Sequence, residues 1–557
     1  MDKVIRIDMS TLTALIEEAP PEMERLGGRG LCSHIVYTEV PPTCHPLGKK
    51  NKLIIAPGLL GGTAAPNSGR MSIGAKSPLT QGIKEANVGG VSGHKLARLG
   101  VKALVVEGEA RAGGPYVVKI DRKGARITSA PELAGLGTYN TVARLRAQHG
   151  DGMGILCIGS AGEMRLAAAS VACTDPDGRP SRHAARGGLG AVMGAKGLKA
   201  IVIDDAGTKL RQPLDKESFG HTNREFVKEI LERKATKLLM EYGTVGGLAF
   251  LSKFGSLPTR NFSTGSFEGD ARIGGKGVAE TNASRGGSFG HVCMPGCVVR
   301  CSNVMHDEQG RFLTAGFEFE SCALLGANLG IDDLDAVMKL EKKCDDLGLD
   351  TMEIGVALGI AHDAGLLGFG DGAMALELVE EIEKGSVLGR VLGQGAEVTA
   401  RVFGISRVPV IKGQGIPAHD PRKQPGTGVS YATSPQGADH TGVIIFNAES
   451  TGEMIAESRK KQINTSAYDS VGLCQMAEPN PEVMAVLLSS FYGWDWRPDD
   501  VVCLGRSILQ KEVAFNRRAG LGPETDRLPD FMTEEPLSPS EKVFDVTEDV
   551  IRQVLEY

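Results

Sequence analysis

One six-residue pattern, D-x-x-G-L-[D/C], occurs twice in the chain, as DDLGLD at residues 345–350 and as DSVGLC at residues 469–474. Each copy closes a segment whose apolar residues recur at intervals of three and four, which is typical of a helix. The glycine suits the left-handed residue that stops a helix, and the leucine suits the apolar contact that follows such a stop. Either the two aspartates serve one shared purpose, or both copies are ordinary helix ends.

Helical spacing of apolar residues is also found in other segments of this part of the chain. The predicted helices cover residues 219–242, 332–346, 352–365, 373–384, 451–469, 481–492 and 504–519. The stretch 413–442 between them is predicted to be rich in loops.

The chain before a predicted linker at residues 204–213 has a different pattern, in which short β-rich runs alternate with glycine clusters. The predicted strands cover residues 52–56, 103–108, 116–120, 155–158 and 200–203. We therefore expect an α+β fold, with an N-terminal β-rich domain over residues 1–207 and two mainly helical domains over residues 208–405 and 406–557. Each helical domain carries one copy of the repeated motif.

Composition places the chain among ordinary folded proteins. Hydrophobic residues make up 41% and charged residues 23% of 557, and the net charge of -6 offers no basic surface for nucleic acid. No window holds the ~20 uncharged apolar residues of a membrane-spanning helix. The N-terminus lacks the pattern of a secretory signal. We therefore expect a cytoplasmic protein that binds neither nucleic acid nor membrane.

Three of the eleven cysteines, Cys293, Cys297 and Cys301, form the pattern C-x3-C-x3-C. Closely spaced thiols in a reducing compartment are typical metal ligands. Zinc and a 4Fe–4S cluster both require four ligands, so a distant cysteine is needed as well. Cys474, the last residue of the second motif, is the best candidate. Three interpretations stay open: a 4Fe–4S cluster, which three close and one remote cysteine favour, a zinc ion, and unligated cysteines on one face of a helix.

The aspartates of the repeated motif suggest a second ligand. A carboxylate accepts two parallel N–H bonds from a guanidine-like edge, and a pterin presents such an edge. Asp345 and Asp469 are then predicted to hold two pterins, one from each half of the helical region.

Further segments are spread over the chain in a particular order. They are GGRGL (27–31), PNSGRM (66–71), KSPLT (76–80), EANVGG (85–90), IGSAGE (158–163), ARGGLGAVMGAKGLKAI (185–201), GFEFE (316–320), HDPR (419–422), YATSPQGADH (431–440), FNRRAG (515–520) and DRLP (526–529). Together with both D-x-x-G-L motifs they resemble the aldehyde ferredoxin oxidoreductase family of tungsten or molybdenum bis-pterin enzymes over nearly the whole length. The family more often has C-x2-C-x3-C, so C-x3-C-x3-C predicts a subgroup. No E-x-x-H motif is found for the family's optional iron between subunits, so none is predicted.

The resemblance implies a cofactor and its binding residues. The N-terminal β domain would form the base for tungsten or molybdenum held by two pterins, and the helical domains would cover it. By resemblance, the binding residues are Asp345, Leu349 and Asp350 for one pterin, Asp469, Leu473 and Cys474 for the other, Arg70 between cluster and pterin, the backbone carbonyls of Asn87 and Ala184 for a Mg²⁺ that bridges the pterin phosphates, and the backbone of Gly89, Arg186 and Gly187 near the phosphates.

The resemblance also implies an active-site pair, Glu318 and His440. Glu320 is the alternative to Glu318, because both glutamates lie in GFEFE. From the residues alone, a structural carboxylate and a satisfied loop histidine are equally open.

The expected reaction is oxidation of an aldehyde to a carboxylate, with Glu318 as a base and His440 as a donor to the developing oxyanion. Electrons would leave one at a time through the 4Fe–4S cluster to a ferredoxin or to an iron–sulfur electron-transfer subunit. Two alternatives stay open: a related reductase of aromatic, carboxylic or thioester substrates, and a non-catalytic electron-transfer subunit. No dinucleotide fingerprint is found. Both homo-oligomers and hetero-oligomers remain compatible with the sequence.

Overall fold

Two six-stranded sheets form the first part of the chain in the computed structural model, which describes residues 2–110, 113–441 and 444–556. The first sheet and its helices are β1 (Lys3–Asp8), β2 (Thr13–Glu18), α1 (Gly28–Glu39), β3 (Leu53–Pro57), β4 (Met71–Lys76), β5 (Ile83–Val88), α2 (Ser92–Arg98) and β6 (Val101–Glu107). The second are β7 (Tyr116–Asp121), β8 (Gly124–Ser129), α3 (Thr138–His149), β9 (Gly154–Cys157), α4 (Ser160–Glu163), β10 (Val171–Cys173), β11 (Arg182–Ala184), α5 (Leu189–Ala195) and β12 (Leu198–Ile203). A shared apolar core joins the sheets, with Ile7 and Leu104 from the first and Val118 and Ile201 from the second.

The two sheets have the same topology. The first has the strand order β2-β1-β6-β3-β4-β5, and the second, starting from its β8 edge, has the order β8-β7-β12-β9-β10-β11. In each sheet the first strand pairs antiparallel with the second strand and parallel with the last. All other neighbours are antiparallel. The N-terminal region is therefore an internal structural repeat, which the sequence analysis did not predict.

Equivalent side chains stabilise the two copies. A short 3₁₀ turn follows the first hairpin of each copy, at Pro21–Met23 and at Pro131–Leu133. A buried lysine of the last strand donates to a carbonyl oxygen just beyond that turn. Lys102 Nζ bonds to the oxygen of Glu24 at 2.9 Å, and Lys199 Nζ bonds to that of Leu136 at 2.6 Å. Because a buried ammonium without partners is costly, these bonds help to specify the repeat.

Helices dominate from residue 216 onward. The elements up to residue 403 are α6 (Lys216–Glu232), α7 (Lys234–Tyr242), α8 (Gly247–Phe254), α9 (Asp270–Ile273), α10 (Gly275–Arg285), β13 (Ser288–His291), β14 (Ser302–His306), β15 (Phe312–Ala315), α11 (Phe319–Leu325), α12 (Leu334–Leu347), α13 (Thr351–Asp363), α14 (Gly372–Lys384), α15 (Val387–Gly393) and α16 (Ala396–Phe403). The remainder are β16 (Val410–Ile411), β17 (Gln414–Gly415), α17 (Pro425–Thr433), α18 (Thr451–Val471), α19 (Pro481–Tyr492), α20 (Pro498–Arg518), α21 (Asp530–Glu534) and α22 (Glu548–Arg552). The predicted α+β class, β-rich first and helical afterwards, is confirmed. The three domain bounds stay predictions.

None of the helices in the described part of the chain combines the length and the apolar content that a membrane crossing requires.

Two helix predictions and one loop prediction differ from the structure. The segment 219–242 forms two helices, because Arg233 adopts an extended conformation with ψ at 131°. The stretch 413–442 contains α17, which begins at Pro425, since proline fits the first turn of a helix. Helix α20 begins at Pro498 rather than at residue 504, again with proline in the first turn and two acidic residues beside it.

Both D-x-x-G-L motifs end their helices as predicted. Gly348 and Gly472 have the left-handed conformation, with φ at 70° and 88°. The backbone N–H of the following leucine donates to the carbonyl oxygen five residues earlier, Leu349 to Cys344 at 2.8 Å and Leu473 to Tyr468 at 3.0 Å. This is the hydrogen-bond pattern of a Schellman stop.

The two helix ends dock at equivalent places on the repeated sheets. Gly58 follows β3 and Gly159 follows β9, and neither position has room for a side chain. A Cβ on Gly58 would lie 2.1 Å from Cα of Gly472, and a Cβ on Gly159 would lie 2.2 Å from the carbonyl oxygen of Leu347. Backbone bonds accompany both contacts, from Arg70 N to Gly472 O at 3.2 Å at the first site. Each copy of the D-x-x-G-L motif therefore docks on one copy of the repeated sheet.

We expect Gly58→Ala and Gly159→Ala each to destabilise the protein by about 3 kcal/mol, because backbone must move to admit the methyl group. Thermal unfolding measures this. Gly152→Ala is the matched control, since a Cβ at Gly152 would meet nothing within 4 Å. Equal midpoints for all three variants would show that the helix ends do not dock closely on the sheets.

Candidate active site

The four predicted metal-binding cysteines lie together at the edge of the first sheet. The segment from Cys293 to Cys301 is a series of turns between β13 and β14, not a helix, so the interpretation as one helix face is wrong. Cys297 and Cys474 pack in one cluster, with Cys293 beside it. The loop residue Asn67 connects the two segments: its Oδ1 accepts from Val298 N at 2.9 Å, and its carbonyl oxygen accepts from Cys474 N at 3.0 Å.

The electrostatic surroundings favour a thiolate at Cys293, whereas the hydrogen bond with Cys293 raises the pKa of Cys297 and burial raises the pKa values of Cys301 and Cys474. Cys297 hydrogen-bonds to Cys293 and, together with the positive charges of Arg182 and Arg70, lowers the pKa of Cys293 to about 6 against the opposing effect of burial. Burial acts to lower the pKa of Arg70, but the charges of Cys474 and Cys293 outweigh it and raise that pKa. The two arginines therefore provide compensating positive charge for a group with several thiolate ligands.

The spacing of the thiols argues against zinc. A tetrahedral zinc ion with Zn–S bonds of about 2.3 Å holds its sulfurs roughly 3.8 Å apart. Within residues 2–110, 113–441 and 444–556, the one group of three or more metal-ligand side chains that converges within 4.8 Å is Asp175, Asp177 and His291. The four cysteines are near one another but more widely spread, which suits a multi-iron cluster.

Asp469 ends α18 in a pocket of buried charges. Its Oδ2 lies 3.7 Å from Nη1 of Arg29, whose other nitrogens donate to Glu512 at 2.9 and 2.7 Å. Burial raises the pKa of Asp469 to about 7, although Arg29 and Arg70 oppose this. Burial and the charge of Asp469 also raise the pKa of Glu85 to about 8. The negative charges of Asp469 and Glu85 are thus only partly balanced by the protein. A ligand with hydrogen-bond donors would fit beside them.

Asp345 has the equivalent position at the end of α12. Its Oδ1 lies 3.4 Å from Nε2 of His183. Burial raises the pKa of Asp345 to about 7 and lowers that of His183 to about 4, so the histidine is neutral and offers no charge. Burial and the neighbouring Asp345 raise the pKa of Glu341, one turn earlier in the helix. Both motif aspartates therefore sit in similar, incompletely compensated pockets.

Asp350, in contrast, is fully engaged by the protein. Its Oδ1 caps α13 by accepting from Met352 N at 3.0 Å, and its Oδ2 accepts from Arg186 Nε at 3.1 Å. Arg186 also donates to Glu353 and to the carbonyl oxygens of Ala438 and Gly415 at 3.4, 2.6 and 2.7 Å. The predicted contribution of Arg186 to the cofactor is thus accompanied by a structural role, in which it joins the sheets to both helical regions.

The remaining predicted cofactor residues surround these pockets. Arg70 donates to the side chain of Asn87 and, at 3.3 Å, to its carbonyl oxygen. Asn87 lies on β5, which contacts β11 with Ala184. A Cβ on Gly89 would lie 3.5 Å from Sγ of Cys293. Gly187 adopts φ of +85° and packs on Lys84, and the two motif leucines, Leu349 and Leu473, are buried.

The two glutamates of GFEFE have different partners. Glu318 precedes α11 and accepts from Thr244 Oγ1 at 2.6 Å and from Arg182 Nη1 at 3.4 Å. Its charge acts on Cys293 and Cys301, so it lies on the side of the cysteines. Glu320 is buried in the first turn of α11. The structure thus separates two residues that the sequence analysis offered as alternatives.

Glu320 and His440, not Glu318 and His440, are neighbours. Glu320 Oε2 accepts from Ala418 N at 2.8 Å, whereas Oε1 has no hydrogen-bond partner in the described part of the chain. Burial raises the pKa of Glu320, and the charge of His440 opposes this effect. A second histidine, His419, has Nε2 at 3.7 Å from that free oxygen. His419 belongs to the segment HDPR, and its sequence context alone predicted no function for it.

The chain matches two family descriptions over almost its whole length: "Aldehyde ferredoxin oxidoreductase, N-terminal domain" over residues 4–205 and "Aldehyde ferredoxin oxidoreductase, domains 2 & 3" over residues 221–557. The chain belongs to the aldehyde ferredoxin oxidoreductase family. The resemblance predicted from the sequence motifs is thereby confirmed, while the C-x3-C-x3-C subgroup stays a prediction.

Relatives within the aldehyde ferredoxin oxidoreductase family support the match. The chain is 33% identical to the tungsten-containing aldehyde ferredoxin oxidoreductase of Pyrococcus furiosus, covering 96% of this chain and 92% of that protein. It is 26% identical to the WOR-like subunit of an aliphatic sulfonate oxidoreductase from the same organism, covering 85% and 78%. The active-site complex BamBC of benzoyl coenzyme A reductase, bound to 1,5-dienoyl-CoA, shares the fold with a TM-score of 0.84 at 18% identity, covering 99% and 93%.

Buried polar atoms fit the pterin group that the family resemblance implies. Within the described ranges, four such atoms without hydrogen-bond partners lie beside the motif aspartates: Oε1 of Glu85 and Nε2 of Gln436 near Asp469, and Oε2 of Glu341 and the hydroxyl of Tyr139 near Asp345. Protein cores normally satisfy these groups. Free hydrogen-bond donors and acceptors therefore lie beside both Asp345 and Asp469. They suit a ligand that has several polar edges and binds between the sheets and the helices.

Several site residues were missed by the sequence analysis. Arg182 lies between Glu318 and Cys293, and Lys84 Nζ lies 3.1 Å from Oδ2 of Asp439. No local pattern marks either residue, because each acts with partners that are distant in the chain. Asp439 and the buried Tyr431 lie in the quoted segment YATSPQGADH and were identifiable as candidates.

We expect the metal-free protein to lose stability as pH rises from about 4 to about 7, with each motif aspartate contributing up to about 4 kcal/mol. Their folded-state pKa of about 7 exceeds the unfolded value of about 3.9, so the folded state holds protons that the unfolded state has lost. Asp469→Asn removes one such group and should flatten the fall in unfolding midpoint. The exposed Asp549→Asn is the control. Parallel pH profiles for Asp469→Asn and wild type would contradict this account.

Proposed function

We propose that the chain is an aldehyde oxidoreductase that binds tungsten, or molybdenum, through two pterins and passes electrons through a 4Fe–4S cluster to an iron–sulfur protein. The observation that supports this most is the pair of motif aspartates, Asp345 and Asp469. Both are buried at equivalent places on the two sheets with little compensation, and the four cysteines lie beside the second. The names of the P. furiosus and Thermococcus kodakarensis relatives agree with this assignment.

The residues have separate tasks in this proposal. When bound, the metal–pterin group supplies two-electron oxidation chemistry and the cluster supplies single-electron transfer. Asp345 and Asp469 would hold the two pterins by accepting N–H hydrogen bonds from them. Leu349 and Leu473 would position the helix ends, Arg70 would stand between the cysteines and the second pterin, and Cys474 would be the fourth cluster ligand.

A magnesium ion is part of the proposed cofactor site. Asn87 and Ala184 lie on neighbouring strands from the two sheets. Their backbone carbonyls are hard oxygen ligands, which Mg²⁺ prefers, especially where phosphates complete the coordination. The backbone N–H groups around Gly89 and Gly187 are proposed to lie near the phosphates.

Glu320 is proposed as the general base that accepts a proton from the water that adds to the aldehyde carbonyl carbon, or from the tetrahedral intermediate. Its free Oε1 is buried, and the raised pKa of this carboxyl brings it closer to neutral pH, where a general base is most effective. His419 and His440 then provide N–H groups for negative charge that develops on the substrate oxygen. Glu318, held by Arg182 and Thr244, instead fixes the charge balance near the cluster.

Electrons are proposed to leave through the exposed turn around the cysteines. Pro295, Gly296 and Arg300 of this turn are exposed. A small iron–sulfur protein that docks on this turn would be separated from the cluster only by the turn itself.

The function is tested by anaerobic assay of the purified chain, grown with tungstate or molybdate, for viologen reduction by aldehydes. We expect activity with viologen but not with NAD. Glu320→Gln should lower kcat about 10²- to 10⁴-fold, since a general base contributes on that order, whereas Glu318→Gln should lower it much less. Metal and iron contents equal to wild type are the control. A fully loaded protein that oxidises no aldehyde would refute the function, and a greater loss in Glu318→Gln would reverse the two assignments.

We expect Cys474→Ser to lower the iron content and bleach the charge-transfer absorbance of the protein, because serine replaces a cluster thiolate poorly. Cys322→Ser is the matched control, since Cys322 is buried among apolar residues and its thiol donates to the carbonyl oxygen of Ile273 at 3.0 Å. Full iron retention in Cys474→Ser would exclude it as the fourth ligand.

A further inference from the structure

Arg182, the first residue of β11, has a guanidinium group that is held on three sides. Its Nη2 donates at 2.8 Å to Oγ of Ser302, which directly follows Cys301 in the chain. Its Nη1 donates to Oε1 of Glu318 at 3.4 Å. Gly316 forms the third side, since a Cβ at this position would lie 2.6 Å from Nη2. The side chain of Arg182 is only 10% exposed, so its charge stays in one place and is little screened by water.

The ion pair of Arg182 and Glu318 acts on the thiols beside it. Burial raises the pKa of Cys301, and Glu318 adds to this effect, whereas Arg182 opposes it. The pKa of Cys293 is lowered first by its hydrogen bond with Cys297. Arg182 also acts to lower it, and Glu318 acts in the opposite direction. The cysteines therefore experience two fixed charges of opposite sign that are close to each other.

Arg182 also acts on the pocket of the first D-x-x-G-L motif. Its chain neighbour His183 has Nε2 at 3.4 Å from Oδ1 of Asp345. Burial raises the pKa of Asp345 to about 7, and the charges of Lys342 and Arg182 oppose this. Nε of Arg182 is buried without a hydrogen-bond partner in the described ranges of the chain. Arg182 thus stands between the cysteines and the Asp345 pocket.

Arg70 has the equivalent relation to the second motif. A Cβ at Gly89 would lie 3.7 Å from Nη1 of Arg70 and 3.5 Å from Sγ of Cys293. Burial raises the pKa of Asp469, and positive charges that include Arg70 oppose this. Arg70 directly precedes β4 of the first sheet, and Arg182 begins β11 of the second. Each sheet of the internal repeat therefore contributes one arginine that stands between the cysteines and one motif aspartate.

A charge held near an iron–sulfur cluster changes how readily the cluster accepts an electron. Each one-electron reduction of a 4Fe–4S cluster adds one negative charge to it. A fixed positive charge nearby stabilises the reduced cluster and raises its reduction potential, whereas a fixed negative charge lowers the potential. The net effect of Arg182 and Glu318 therefore depends on both residues together.

We propose that Arg182 and Glu318 are positioning residues that set the reduction potential of the cluster from the side of the Asp345 pocket, with Arg182 as the counterpart of Arg70. This rests on the proposed 4Fe–4S cluster and adds the residues that control its uptake of single electrons. Arg182 raises the potential, and Glu318 limits that rise.

The experiment is an anaerobic redox titration of the fully loaded protein, followed by the electron paramagnetic resonance signal of the reduced cluster. Arg182→Gln should shift the reduction equilibrium roughly tenfold toward the oxidised cluster, which lowers the midpoint potential by about 59 mV. Glu318→Gln should shift it in the opposite direction by a similar factor. Arg182→Lys keeps the charge and should stay within roughly threefold of wild type. The double variant Arg182→Gln with Glu318→Gln should also lie near wild type, because both charges are removed together.

Arg126→Gln is the matched control, since it removes the charge of an exposed arginine on β8. The iron content of each variant is measured beside the titration. A wild-type potential in an iron-loaded Arg182→Gln protein would overturn the proposal. So would shifts of the same sign in Arg182→Gln and Glu318→Gln, which would show that the variants rearrange the cysteine turn instead of changing its charge. If Arg182→Gln retains too little iron for titration, the direction of the Glu318→Gln shift decides.

Failure of the proposed function would look different. Wild type that is supplied with iron and shows no signal of a reduced 4Fe–4S cluster would refute the cluster itself. A normal cluster signal whose potential ignores both charges would refute only the assignment of Arg182 and Glu318.

Discussion

Close backbone contact between two helix ends and two sheets is the constraint on which the rest of the structure depends. Gly58 and Gly159 leave no space for a side chain where Gly472 and Leu347 approach. Because each helix stops in a left-handed glycine, its last aspartate is presented at the sheet rather than to solvent. The same docking brings Cys474 next to the turn that carries the other cysteines. The positions of the proposed pterin-binding aspartates and of the proposed cluster ligand Cys474 thus both follow from the docking of the helix ends on the sheets.

The internal repeat explains why this contact occurs twice. Both sheets have the same strand order and the same lysine bond beyond their first hairpin, so each copy offers an equivalent loop to a helix end. The two halves are not identical in their surroundings. Asp469 faces Arg29 and Arg70, whereas Asp345 lies beside a neutral His183 and has Lys342 and Arg182 as its positive neighbours. A symmetric base therefore holds two chemically different pockets, of which only the one at Asp469 lies beside the cysteines.

Sequence patterns predicted those features that depend on local structure. The helix stops, the cysteine pattern and the β-then-helical order could be read from adjacent residues, since glycine conformation and apolar spacing are local properties. The sheet repeat could not, because strand pairing joins residues such as Lys3 and Val101 that are far apart in the chain. Likewise, GFEFE does not reveal which glutamate meets His440. That choice depends on the direction in which α11 leaves Glu318, and on Arg182 and His419 from other elements.

Burial of carboxyl groups without full compensation links stability to function in this fold. Asp345, Asp469, Glu85 and Glu320 all have raised pKa values because folding removes them from water. Such groups oppose folding when they ionise, so a chain selected for stability alone would replace them with amides or apolar residues. Hydrogen-bond donors of a ligand would stabilise the ionised carboxylates of Asp345 and Asp469. A general base at Glu320 must instead stay without such a donor, because only then does its raised pKa let it accept a proton. In the proposed function, the same physical effect would serve cofactor binding at Asp345 and Asp469 and catalysis at Glu320, and the difference would be whether the cofactor supplies a hydrogen-bond donor to the free carboxylate oxygen.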